Sequence, residues 1–112
     1  MEIKNILVPV DGSEGSDRAI THAISIAEIC EAKLNFLYVA NINQLAINAC
    51  LSDAILEAVT KAGNVILDFA TSNNADLIVM GSRGLGIVKG VLLGSVSQYI
   101  VEQARCPVLV VK

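Results

Sequence analysis

Residues 76–97 read DLIVMGSRGLGIVKGVLLGSVS. Asp76-Leu77-Ile78-Val79-Met80 is a short apolar run without polar alternation, the pattern of a strand buried on both faces of a parallel sheet. From Gly81 to Ser95 the composition changes abruptly, to five glycines and two Gly-Ser pairs. Ser95 to Ala104 then turns helical, with Val96, Tyr99 and Ile100 on one stripe. A strand that passes through a glycine-rich turn into a helix is the repeating unit of an α/β domain.

The rest of the chain repeats that unit. Three more apolar runs read as parallel strands: Ile6-Leu7-Val8-Pro9-Val10, Leu34-Asn35-Phe36-Leu37-Tyr38-Val39 and Pro107-Val108-Leu109-Val110-Val111. Between the first two, Ser16 to Cys30 places Ala19, Ala23, Ala27 and Cys30 on one helical face, widened by Ile20 and Ile24. Ser13 or Ser16 stands where an N-cap belongs. From about Ser52 to Thr71 a three-to-four spacing of Ile55, Val59, Ala62, Ile66 and Phe69 predicts one long helix, or two parted near Gly63-Asn64. A short strand at Val65 to Leu67 is the competing reading. The expectation is a single α/β domain over residues 1–112, an open parallel sheet with helices on both faces. No internal repeat, low-complexity segment or linker interrupts it.

Composition narrows the function classes. The chain has 112 residues, 54% hydrophobic and 17% charged, with a net charge of −3. No apolar run is long enough to cross a bilayer, and the first residues lead straight into a strand pattern rather than a secretory signal. An acidic chain without Trp lacks the basic face of a general nucleic-acid binder. Cys30, Cys50 and Cys106 match no metal or redox spacing, so they are expected as buried, reduced thiols of a cytosolic protein. His22, the one histidine, falls on the first helix, and no residue stands out to activate a water.

Glycine at this density weakens helices and strands alike, so a use for bare backbone is implied. In open parallel sheets ligands collect where strands end and helices begin, and a helix N-terminus binds anions through unpaired amides. Ser95 and Ser97 add hydroxyls; Arg83 and Lys89 supply charge or are simply solvated. A glycine-rich loop with no ligand is the alternative. The P-loop pattern is absent, and Gly84-Leu85-Gly86 departs from the dinucleotide fingerprint because its third glycine, Gly90, comes one residue late.

Gly81-x2-Gly84-x9-Gly94-Ser95 resembles the nucleotide-binding pattern of the universal stress protein family. The opening Lys4-Asn5-Ile6-Leu7-Val8-Pro9-Val10-Asp11-Gly12-Ser13, the stretch Asp76 to Gly84 and the close Arg105-Cys106-Pro107-Val108-Leu109-Val110-Val111 are similar to it too. The resemblance covers roughly residues 2–40 and 62–112. It implies a Rossmann-like fold of the adenine nucleotide alpha hydrolase-like kind and a cytoplasmic stress-response regulator that binds ATP, AMP or ADP. It also implies Mg²⁺ held on the phosphates rather than by protein ligands. Asp11, after Pro9 and Val10, would meet the adenine or ribose side, and Val39 would offer backbone to the adenine edge. Met80 and Gly81 would lie near base and sugar; Gly84, Gly94, Ser95, Val96 and Ser97 would wrap the phosphates, with Arg83 beside them. No catalytic or metal-ligating residue is implied. A plain turn role for Asp11, an N-cap role for Ser13 and a ligand-free scaffold of the same family are the competing readings.

One departure has consequences for assembly. Family members run longer, with a five-stranded sheet in the order 3-2-1-4-5. Here residues 41–75 are too few for helix, strand and helix, so the third strand is expected to be missing. Right-handed crossovers then put Ser16 to Cys30 alone on one face and both remaining helices on the other. The thinly covered face, or the edge beside Leu34 to Val39, is expected to be buried by a second chain, with swapping of residues 41–75 as one route. The resemblance independently implies a homodimer through the last strand, Pro107 to Val111.

Overall fold

A computed structural model describes residues 2–39, 52–82 and 94–112. The elements follow in the order β1 (Asn5–Val10), α1 (Glu14–Cys30), β2 (Lys33–Tyr38), α2 (Ser52–Ser72), β3 (Leu77–Gly81), α3 (Ser95–Gln103) and β4 (Val108–Val111). The four strands form one parallel sheet in the order β2-β1-β3-β4, in register Ile6↔Leu34, Ile6↔Leu77 and Ile78↔Val108. Among the described residues there is no strand between β2 and β3, as the short middle predicts.

Alternation along the strands divides the core in two. Ile6, Val8, Leu77, Val79 and Val111 face α1 and pack against Ala19, Ala23 and Ala27. Leu7, Ile78 and Met80 face the other way, against Ile66 and Ala70 of α2 and Ile100 of α3. So, among the described residues, α1 is the one helix on its face and α2 and α3 share the opposite one, the arrangement that right-handed crossovers require. The central strands carry the burial: Ile6, Val8, Ile78 and Val79 are 0% exposed. Each such side chain stabilises the fold by about 1.5–3 kcal/mol through removal from water. The sheet edges on the α1 face are less well covered, and Phe36, Tyr38 and Leu109 are exposed there.

α1 begins at Glu14, two residues before the Ser16 start read from the sequence, because Ser13, not Ser16, is the N-cap. Its Oγ accepts from the Ser16 amide at 3.2 Å. It ends at Glu31, in the left-handed region at φ 56°, with the Glu31 and Ala32 amides both returning to the Ala27 carbonyl. That termination corrects the expectation for Cys30, which lies exposed on the last helical turn rather than buried; Cys106 is half-buried, and Cys50 lies outside the described residues.

α2 is continuous through Gly63, and no strand forms at Val65 to Leu67. Val65 is 55% exposed and Ile66 1%, which in α2 puts Ile66 on the sheet-facing stripe and Val65 off it. Gly63 serves the contact with α3: a Cβ there would overlap the Tyr99 ring, and the Tyr99 hydroxyl donates to Asn64 Oδ1 at 2.7 Å. At the far end of the sheet, Asp76 Oδ2 accepts from the amides of Lys4 and Asn5, both at 2.9 Å, tying the entry of β3 to that of β1. These two backbone donors hold the Asp76 carboxyl below the ordinary aspartate range.

Candidate functional site

The strand order fixes where a ligand would fit. From β1 the chain steps outward to β2, and it later returns to the other side of β1 to lay down β3 and then β4. The switch point therefore lies between the carboxyl ends of β1 and β3, the place in an open α/β sheet where a crevice forms. Two helices start near it on opposite faces: α1 directly after β1, and α3 after the glycine-rich stretch that follows β3.

Their N-termini differ in chemistry. The α1 end is closed. Ser13 caps it, Asp11 Oδ1 accepts from both the amide and the hydroxyl of Ser13, and Glu14 and Asp17 add negative charge to the first turn. Those carboxylates already answer the positive end of the α1 dipole and would repel an anion. The α3 end is open. Its N-cap is Gly94, which has no side chain to donate or accept, and no acidic residue stands in its first turn. Among the described residues, no acceptor takes the amide hydrogens of Ser95, Val96 and Ser97.

Ser82 anchors this end. Its amide donates to Val111 O at 2.7 Å, and its carbonyl accepts from the Gly94 amide and from Ser97 Oγ, the latter at 2.9 Å. Ser97 Oγ also reaches Gly94 O at 3.0 Å. The glycine-rich stretch is thus pinned at its base, Ser82 against Gly94, with buried Ser82 and Ser97 as the clasp. Sequence reasoning missed Ser82 because its role depends on Val111, a contact across β3 and β4 that no local spacing announces.

Each expected site residue can now be located. Pro9 is buried in β1, and Val10 and Asp11 stand at its carboxyl end, Asp11 engaged in the turn before α1. Val39 follows β2, with its amide donated to Val10 O at 2.8 Å, so it presents something other than that N–H to a ligand. Met80 packs against the α2–α3 side of the core. Gly81 sits under α1: a Cβ on it would lie 2.7 Å from the Gly15 carbonyl carbon, so its missing side chain admits the first turn of that helix. Gly94, Ser95, Val96 and Ser97 form the open α3 terminus. Arg83, Gly84 and Lys89 lie outside the described residues. His22 stands in α1 with Nδ1 against the Arg18 carbonyl at 2.9 Å, exposed. Among the described residues no group of three or more His, Cys, Asp or Glu is placed to hold a metal, and no helix is long and apolar enough to cross a membrane.

Comparison with known proteins gives this arrangement its family. The model of the universal stress protein family matches residues 2–49 and 51–112. The chain belongs to the universal stress protein family. Among curated proteins, a universal stress protein of Methanocaldococcus jannaschii is 33% identical over 139 aligned positions, taking in 97% of this chain and 82% of the relative. The aligned stretch is longer than the 112-residue chain, so the relative carries residues with no counterpart here. Among solved structures, the universal stress protein UspA from Lactobacillus plantarum superposes with a TM-score of 0.76 at 26% identity, over 100% of this chain and 99% of that one. A universal stress protein crystallised in complex with cAMP superposes with a TM-score of 0.69 at 28% identity, over 99% of this chain and 98% of that one.

Proposed function

We propose that this universal stress protein binds an adenine nucleotide at the switch point and acts as a stress-response regulator rather than as an enzyme. The observation that carries the reading is the contrast between the two helix ends. α3 offers amides with no acceptor among the described residues behind a glycine N-cap, and α1 is capped and acidic. An anionic phosphate is the natural complement to the first and not to the second. The amides of Ser95, Val96 and Ser97 hold the phosphate end, to which the family pattern also assigns Arg83 and Gly84, and Pro9, Val10, Asp11, Val39, Met80 and Gly81 border the base and sugar. The universal stress protein in complex with cAMP supports an adenine nucleotide as the ligand class. Mg²⁺, where present, travels on the phosphates of ATP. Self-association through β4, whose Leu109 is 37% exposed, is the assembly in which the regulator works, in the cytoplasm.

One observation favours the alternative of a ligand-free scaffold: Asp11 and Gly81 both have structural employment, in the α1 turn and under its first residues. Titration calorimetry and thermal unfolding with ATP, AMP, cAMP or buffer separate the two readings. Nucleotide binding gives heat and a rise in unfolding temperature that grows with ligand concentration. Absence of both at millimolar nucleotide leaves the scaffold.

A further inference from the structure

At the sheet edge opposite β4, β2 has a strand on its inner side only, among the described residues. The amides of Lys33 and Val39 donate inward, to the carbonyls of Lys4 and Val10, at 2.8 Å each. Backbone groups along a strand alternate in direction from one residue to the next, so Leu34, Phe36 and Tyr38 aim theirs outward. The same three residues set their side chains on the α1 face. There Leu34 packs against the core, Phe36 is 49% exposed and Tyr38 is 71% exposed. Donors and acceptors with no strand beside them among the described residues, and aromatic side chains next to them, make an edge that another strand can extend.

We propose that this edge is a self-association surface, on which β2 pairs antiparallel with β2 of a second copy about a two-fold axis centred on Phe36. That register sets Phe36 opposite the copy's Phe36 and Leu34 opposite the copy's Tyr38. All three outward-facing residues then exchange backbone bonds within the strand. A centre on Asn35 or Leu37 pushes one of the three past the strand end. Lys33, the only charged residue of β2, falls opposite Val39, so no like charges meet. Aromatic and aliphatic side chains pair across the axis on the α1 face, which α1 leaves thinly covered at this edge. The contact is small and belongs to the weak, concentration-dependent class, under about 1,200 Å² of buried surface. The inference stands apart from the nucleotide reading, because it uses neither the switch point nor a ligand.

Sedimentation analysis over a wide concentration range tests it on the full chain without nucleotide. The wild type, Phe36→Lys, Phe36→Glu and an equimolar mixture of those two variants are compared, with Leu109→Lys marking the β4 edge. The wild type is expected to self-associate with rising concentration. Each Phe36 variant alone loses the step of association that Leu109→Lys retains, and keeps any step made through β4, since like charges then meet on the β2 axis. The mixture regains the lost step. Recovery on mixing also shows that both variants are folded. A wild type that stays monomeric overturns the proposal, and so does association unchanged in the Phe36 variants or lost only with Leu109→Lys. Failure of the mixture to recover overturns it as well.

Discussion

Gly81 and Gly94 lie on either side of the glycine-rich stretch, and their missing side chains serve different ends. At Gly81 the vacancy is filled by the protein itself, where Gly15 of α1 approaches too closely for any Cβ. Gly81→Ala therefore forces α1 or β3 to shift, and denaturant unfolding is expected to show a loss of about 1–3 kcal/mol, the usual cost of overpacking. Gly94 has an extended backbone, φ −70° and ψ 161°, that any residue adopts, so what its missing side chain leaves open is the α3 N-terminus. The density of glycine was legible in the sequence. The division of labour was not, because Gly81 meets a residue distant along the chain and nothing in the local spacing announces that contact. Gly63 teaches the same lesson. A glycine that reads as a possible break in α2 proves to be the seat of the Tyr99 ring.

At the scale of elements, α1 ends on a non-glycine residue in the left-handed region, Glu31 at φ 56°. Glycine relieves that strain at the cost of extra chain entropy, so Glu31→Gly is expected to stabilise the fold by about 0.5–1 kcal/mol, read from the urea midpoint. Asp76 joins the starts of β1 and β3 through two backbone amides that lower its pKa. A carboxyl whose folded pKa is depressed contributes stability above its unfolded value, and that contribution is lost as pH falls through the folded one. Acid titration of stability should thus show a steeper fall below the ordinary aspartate range in the wild type than in Asp76→Asn. An identical acid limb in the two proteins would remove Asp76 from that role. The strands and α1 were readable from uninterrupted apolar runs and alanine spacing, to within one or two residues at each end. The exposure of Cys30 was not, because periodicity assigns a face without saying where the helix stops.

The whole molecule follows from a short middle region and the handedness of crossovers. With no strand beyond β2 among the described residues, the order β2-β1-β3-β4 still keeps the switch point between β1 and β3. Trimming an edge spares the centre, and universal stress proteins superpose on this chain with TM-scores of 0.76 and 0.69. The sheet, the unequal covering of its faces and the family were all legible in advance, because parallel strands, right-handed crossovers and the glycine spacing leave few topologies. What the pattern of residues left open was how each helix end is capped. Capping depends on side chains that meet only in the fold: Ser13 with Ser16, Ser97 with Ser82.

The open α3 terminus is tested most directly by Gly94→Asp, with ATP titrated by calorimetry and unfolding followed in parallel. A carboxylate at the N-cap accepts from the free amides and answers the helix dipole, so the variant should be more stable by about 1 kcal/mol in the absence of nucleotide. The same carboxylate would stand where the proposed phosphate site lies, so the heat of ATP binding expected of the wild type should be absent from the variant. ATP binding of undiminished affinity in the stabilised variant would contradict the account.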